Sequence, residues 1–301
     1  MSMLFVRSMA LSLLAGTIAC SPKPIPTSPV PVGARERVIR VGTLKLTAIE
    51  WRGEGTPLVL LHGLGGNAAS WAGLAHQLTG RHIIALDLPG HGESPVATTW
   101  DYMPLALGIV AAVRSEWPGK HIWVGHSWGG RFAVVAAAAD STGTQGLILV
   151  DAVQVSSFRI ADVAGTVEGL FKGELDPWPS LDSALFAVRT LPQFSPWTPD
   201  AEVAFRRAVV VQPDGRVTPL LSRDKAATVL RTFATDNSEA ISRIFAPVLV
   251  LSAPDSFSER AQRRLFPLAQ FVSVRGNHWL HINNVEGTSR EILNWLRQNG
   301  L

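Results

Sequence analysis

The chain has 301 residues, 47% of them hydrophobic and 17% charged, with a formal net charge of +3. That composition supports a large buried core and excludes a disordered chain. The small net charge, with no run of lysine and arginine interleaved with aromatics, argues against a nucleic-acid partner.

Residues 1–19 read as a signal peptide. Arg7 is followed by an uncharged, mostly apolar stretch from Ser8 to Ala19, too short to span a bilayer as a helix. The only cysteine, Cys20, excludes an intramolecular disulfide and a cysteine metal cluster. Ala19 directly before Cys20 resembles the lipobox of bacterial lipoproteins, although Thr17 stands where a leucine is more usual. The resemblance implies cleavage before Cys20, lipidation of its thiol and anchoring at the bacterial cell envelope. Ser21, in place of an aspartate, implies the outer membrane. A soluble secreted protein cut nearby is the alternative. Residues 20–35 are the expected linker. Five prolines between Ser21 and Val32 favour an extended tether that holds a domain off a membrane.

The folded part is expected over residues 36–301. ERVIRVG and TLKLTAIEWR read as an opening hairpin. TPLVLLHG (56–63) is a continuous apolar run, as a strand buried on both faces requires. Residues 70–79 are helical, with Trp71, Leu74 and Leu78 on one face. HIIALDLPG, HIWVG and GLILVDA (146–152) are further strands, with helices over about 101–116 and through RFAVVAAAA. APVLVLSAPD and QFVSVRGNH follow much later, before a helix through EGTSREILNWLRQ. Alternating strands and helices imply an α/β fold with a parallel sheet covered on both faces. Residues 153 to about 243 break the rhythm with seven prolines. A structureless loop of that length is excluded, so this stretch reads as a helical cap resting on the sheet. Its Phe158, Phe171, Trp178, Phe186, Phe194, Trp197 and Phe205 either line a pocket or pack the cap onto the core.

Gly125-His126-Ser127-Trp128-Gly129 lies between a strand and a helix, the context a nucleophile elbow requires. Ser127 is therefore the expected nucleophile. A serine hydroxyl needs a base, an acid to orient it and donors for the oxyanion. His278, on the turn after the last strand, is the expected base, and His281 is its competitor. Asp255, at the end of PVLVLSAPD, is the expected acid. Asp151, ending the strand one unit earlier, is the alternative. The oxyanion donors are expected to be the backbone N–H groups of Trp128 and of Leu64 in the loop His62–Gly66. Phosphate binding by that glycine-rich loop is disfavoured, because neither GxGxxG nor GxxxxGK[ST] occurs.

Taken in order, HGLGG (62–66), DLPGHGES (87–94), GHSWGG (125–130), PVLVLSAPD (247–255) and GNHWLH (276–281) resemble the α/β-hydrolase superfamily. The resemblance covers the chain from about residue 40 to its end. It implies a mostly parallel eight-stranded sheet, an inserted helical cap, no cofactor and no metal. It places DLPGHGES near the site, with His91 structural rather than catalytic. A serine in the elbow argues against the branches that use a carboxylate nucleophile. The acid strand ends SAPDS without the expected glycine, which keeps Asp151 beside Asp255. The activity implied is hydrolysis of a small to medium hydrophobic carboxylic ester through an acyl-enzyme. A thioesterase, a lactonase and a non-catalytic ligand-binding lipoprotein remain as alternatives. The sequence names no oligomeric state.

Overall fold

The computed structural model describes residues 29–97, 100–153, 161–172, 174–256 and 258–301. The signal segment, Cys20, most of the proline-rich linker and Phe158 lie outside the described residues.

The chain opens with an antiparallel hairpin, β1 (Arg35–Val41) and β2 (Leu44–Trp51). Then come β3 (Glu54–Leu61), a 3₁₀ turn at Ala68–Trp71, α1 (Ala72–Gln77), β4 (Arg81–Leu86) and α2 (Tyr102–Glu116). β5 (His121–His126) leads directly into α3 (Trp128–Ala139), and β6 (Thr144–Val150) follows. The sheet has eight strands. Its order is β1, β2, β4, β3, β5, β6, and then two strands from late in the chain. Only the pairings made by β2 are antiparallel.

The strands read as unbroken apolar runs because both faces of the sheet are covered. Successive residues alternate between two cores: Val59, Leu61, Ile84, Leu86 and Trp123 enter one, and Leu58, Leu60, Ile83, Ala85 and Ile122 the other. Removing each such side chain from water stabilises the fold by about 1.5–3 kcal/mol. α2 and α3 cover the first face. The alanine-rich α3 is buried along nearly its whole length, which only small side chains permit against a sheet. Trp71 and Leu74 of the α1 region cover the second face, together with Ile292 and Trp295 near the C-terminus.

After β6 the chain leaves the sheet and builds a separate layer. It holds α4 (Val163–Phe171), α5 (Leu181–Val188), α6 (Pro199–Arg206), a short ribbon of β7 (Val209–Val211) and β8 (Val217–Pro219), α7 (Arg223–Thr232) and α8 (Ser238–Ser242). The prolines that mark this stretch serve as punctuation. Pro199 occupies the first turn of α6, where its missing N–H costs nothing, and Thr198 caps that helix by accepting from Ala201 N. Ser180 and Ser222 cap α5 and α7 in the same way. The layer carries its own small core, which includes Ala184, Leu185, Val188, Phe205, Val209 and Val217. The β7–β8 ribbon is absent from the sequence expectation, because three-residue strands leave no periodic signal.

The chain returns to the sheet through β9 (Val248–Ser252), α9 (Glu259–Leu265) and β10 (Gln270–Ser273), and ends in α10 (Leu280–Asn283) and α11 (Val285–Gln298). β9 pairs with β6, and β10 with β9.

Candidate active site

Ser127 occupies the turn between β5 and α3 with φ +49° and ψ −118°, a region that non-glycine residues rarely adopt. The flanking glycines are sterically required. A Cβ on Gly125 would lie 2.4 Å from Gly130 Cα, and one on Gly129 would lie 2.2 Å from Leu61 O. The sharp turn is held by Ser127 N–H to Val150 O (3.3 Å) and by Gly130 N–H to Ser127 O (3.1 Å).

His278 Nδ1 lies 2.6 Å from Asp151 Oδ2, a bond that fixes the tautomer with Nδ1–H donating. Asp151 Oδ1 also accepts from Ala253 N–H at 3.1 Å. Asp151 is the carboxylate at His278, and the expectation for Asp255 is corrected. The reason is sheet register. Val150 pairs with His126, so Asp151 stands in the strand next to Ser127, one residue past the ladder. A left-handed backbone (φ +40°), which aspartate tolerates, turns the residue at that point. Asp255 lies beyond the end of β9 in an exposed turn at the rim of the same cavity, with no hydrogen bond to His278.

Ser127 and His278 line one cavity of about 650 Å³ between the sheet edge and the cap. Ser127 Oγ makes no hydrogen bond among the described residues, so the serine–imidazole contact is open in this conformation. Such contacts often close only around substrate. His281 makes no hydrogen bond to Asp151 among the described residues. It sits in α10, 1% exposed, with its ring 4.3 Å from that of Trp71 and 4.4 Å from that of His126. Burial pushes its imidazole down to about 3.

Two backbone N–H groups, one in the elbow and one in the His62–Gly66 loop, have no acceptor among the described residues. Trp128 N–H opens α3 and has no intrahelical partner. In the His62–Gly66 loop, Gly66 N–H donates to Gly63 O and Gly65 N–H to His91 Nε2, which leaves Leu64 N–H with no acceptor among the described residues. Two neutral histidines brace this loop. Leu88 N–H donates to His62 Nε2 at 2.9 Å, so His62 Nδ1–H donates to Gly63 O at 2.7 Å. His91 receives Gly65 N–H and donates from Nδ1 to Pro89 O. Burial holds the His62 imidazole well below its usual value and lowers that of His91 to about 4. His91 is thus a loop brace rather than a group at the serine.

Three residues of the site carry no expectation from the sequence: His126, Arg207 and Glu174. His126 donates from Nε2 to His278 O at 2.8 Å and meets the His278 ring in a tilted contact at 4.8 Å, fixing the loop that carries His278. Arg207, after α6, is fully buried and reaches Asp87 Oδ2 at 2.8 Å and Glu36 Oε2 at 3.0 Å. Asp87 also accepts from Ala68 N and Glu93 N, so one carboxylate ties the cap to two loops around the site. Asp87 stood in the quoted DLPGHGES, whereas nothing local to Arg207 announces a partner so distant in sequence. The cap supplies the cavity wall through Phe171, Trp178, Phe194 and Phe205, with Trp197 packed edge-on against Phe194 and Phe186 turned to solvent. It also contributes one half-buried carboxylate, Glu174.

No group of three or more potential ligands is arranged to hold a metal ion among the described residues. No helix among them is long and apolar enough to cross a membrane.

The family described as "Alpha/beta hydrolase family" matches residues 58–291. Among curated proteins, the chain is 33% identical over 141 residues to protein phosphatase methylesterase 1 of Mus musculus. That alignment covers 44% of this chain and 36% of the relative. It is 33% identical over 159 residues to an esterase of Mycobacterium tuberculosis, covering 51% of this chain and 52% of that one. The chain thus spans between a third and about half of these relatives' lengths. The crystal structure of E-2-(acetamidomethylene)succinate hydrolase superposes with a TM-score of 0.73 at 24% identity, over 88% of this chain and 99% of that one.

Proposed function

The chain belongs to the α/β-hydrolase family, and on that premise we propose that it cleaves carboxylic esters of small to medium hydrophobic substrates through a Ser127 acyl-enzyme. The observation that carries this reading is the 2.6 Å Asp151–His278 bond beside a strained serine, in one cavity with the His62–Gly66 loop.

In the proposed cycle His278 Nε2 takes the Ser127 proton as Oγ attacks the ester carbonyl. The Leu64 and Trp128 N–H groups stabilise the oxyanion, each contributing about 3–4 kcal/mol to the barrier reduction. His278 then gives its proton to the departing alkoxide and takes one from the water that releases the acid. Asp151 steadies the imidazolium without itself becoming protonated. The esterase relatives and a mostly apolar cavity of about 650 Å³ support an ester with a hydrophobic body.

A fluorophosphonate probe tests the nucleophile. It should label the wild type and fail to label Ser127→Ala. A panel of p-nitrophenyl esters of graded chain length should then give turnover. Absence of both label and turnover in the wild type would sink the reading in favour of a ligand-binding protein. The same proposal extends to location: a cell-envelope enzyme held through lipidated Cys20. Palmitate incorporation that persists in Cys20→Ser would overturn that part.

A further inference from the structure

The cavity has a chemical asymmetry that ester cleavage alone does not require. Among the described residues, neither lysine nor arginine lines it. Its ionisable groups are the carboxylates of Asp151, Glu174 and Asp255 and the imidazoles of His62, His126, His278 and His281. Burial keeps His62, His126 and His281 neutral, so they supply no compensating positive charge. Asp151 is committed to His278 and Ala253 N, and Asp255 lies at the exposed rim.

Glu174 differs from both. It follows α4, half-buried in the cap wall near Phe171 and Leu175. One oxygen, Oε2, accepts from Gln193 Nε2, and Oε1 has no partner among the described residues. The cations on the neighbouring helix are used elsewhere. Arg223 bonds Glu168 and Asp176, and Lys225 Nζ donates to Leu220 O at 2.6 Å. An ionised carboxylate with one amide partner in an apolar wall keeps an acceptor oxygen available to a ligand donor. A charged donor would bind it most strongly.

We propose that Glu174, oriented by Gln193, is a recognition subsite for a hydrogen-bond-donating group, foremost an ammonium, carried on the apolar substrate, and that the cavity rejects anionic ligands. The identification of that ligand as an ester rests on the function proposed above. The subsite itself is testable without turnover.

Calorimetric titration of the full chain with hexylammonium, hexan-1-ol and hexanoate reads the subsite directly. Hexylammonium should bind about tenfold or more tighter than hexanoate, with hexanol between them. Glu174→Gln should bring the three within about threefold of one another. Burial lifts the Glu174 carboxyl to about 6, so hexylammonium binding to the wild type should weaken as pH falls through that value. That wild-type profile keeps the test decisive if the variant folds poorly. Hexanoate binding as tightly as hexylammonium, a preference that survives Glu174→Gln, or a wild-type affinity flat across pH 6 would each overturn the subsite. Loss of fluorophosphonate labelling together with an intact ammonium preference would instead remove the esterase reading and leave the subsite standing.

Discussion

Around Ser127 the buried polar groups are joined in chains: Leu88 to His62 to Gly63, Gly65 to His91 to Pro89, Ala253 to Asp151 to His278. In the cap the equivalent work is done by apolar contact, with aromatic rings such as Phe194 and Phe205 meeting edge-on at 5.7 Å. Hydrogen-bonded networks specify one geometry, whereas apolar packing tolerates exchange of side chains of similar volume. The difference assigns precision to the floor of the cavity, the strand ends and loops around Ser127, and adaptability to the cap. Transition-state placement needs the first, and accommodating a hydrophobic substrate needs only the second.

The sharpest way to break that division is at the carboxylate. Asp151→Asn keeps the volume but no longer demands Nδ1–H on His278, and kcat should fall about 10³–10⁴-fold. Asp255→Asn, at the rim, should change kcat by less than about threefold, as a substitution outside the reacting geometry does. Steady-state kinetics on one ester measures both. Equal losses would return Asp255 to the site.

The two halves meet at several polar points, among them the buried ion pair of Arg207. Its guanidinium is wholly buried against Asp87, whose other partners are backbone N–H groups of the floor. Arg207→Met removes one partner of a buried pair and leaves Asp87 uncompensated. The expected loss is about 3–5 kcal/mol in urea unfolding. A smaller loss would mean that the cap is held to the floor by its other contacts. A second tie is weaker. The Trp128 indole N–H donates to Thr232 Oγ1 of α7 at 3.1 Å, linking the elbow residue to the cap. Thr232→Val leaves that buried donor unpaired, at about 1–3 kcal/mol. If kcat falls more than stability does, the tie also orients the elbow.

The floor was far more legible in the sequence than the cap. Buried strands must be apolar on both faces, so TPLVLL and GLILV declare themselves, and the elbow requires glycines where a Cβ would strike backbone. The choice between Asp151 and Asp255 was not legible. Both end apolar strands, and only the order β5, β6, β9 with its register puts one of them beside Ser127. Arg207 and Asp87 meet across 120 residues, a distance over which no local pattern carries information. The cap helices are short and set by caps such as Ser180 and Thr198 rather than by long periodicity, so only their aggregate signature, prolines among aromatics, shows in the chain.

Acid should loosen the floor before the cap, because the buried neutral histidines all lie on one side of the cavity. His62, His91, His126 and His281 have imidazoles lowered by burial, whereas no histidine occurs in the cap between residues 153 and 243. Each of these groups binds its proton more readily unfolded, near the ordinary 6.5, than folded. Stability from each is therefore complete above about pH 6.5 and is lost as pH falls towards the folded value, by at most about 1.4 kcal/mol per pH unit. His281 isolates one contribution. It is stacked between Trp71 and His126, with Nδ1 lacking any partner among the described residues. His281→Phe preserves the ring contact and removes both the titration and the unsatisfied nitrogen. Urea midpoints between pH 7 and 4 should fall less steeply in the variant, by up to about one proton's worth of slope. An unchanged slope would mean that folded His281 takes up its proton over the same pH range as the unfolded chain. In that case the acid response would be carried by the other imidazoles lowered by burial, His62, His91, His121 and His126, and protonation of the two loop braces, His62 and His91, would open the oxyanion loop.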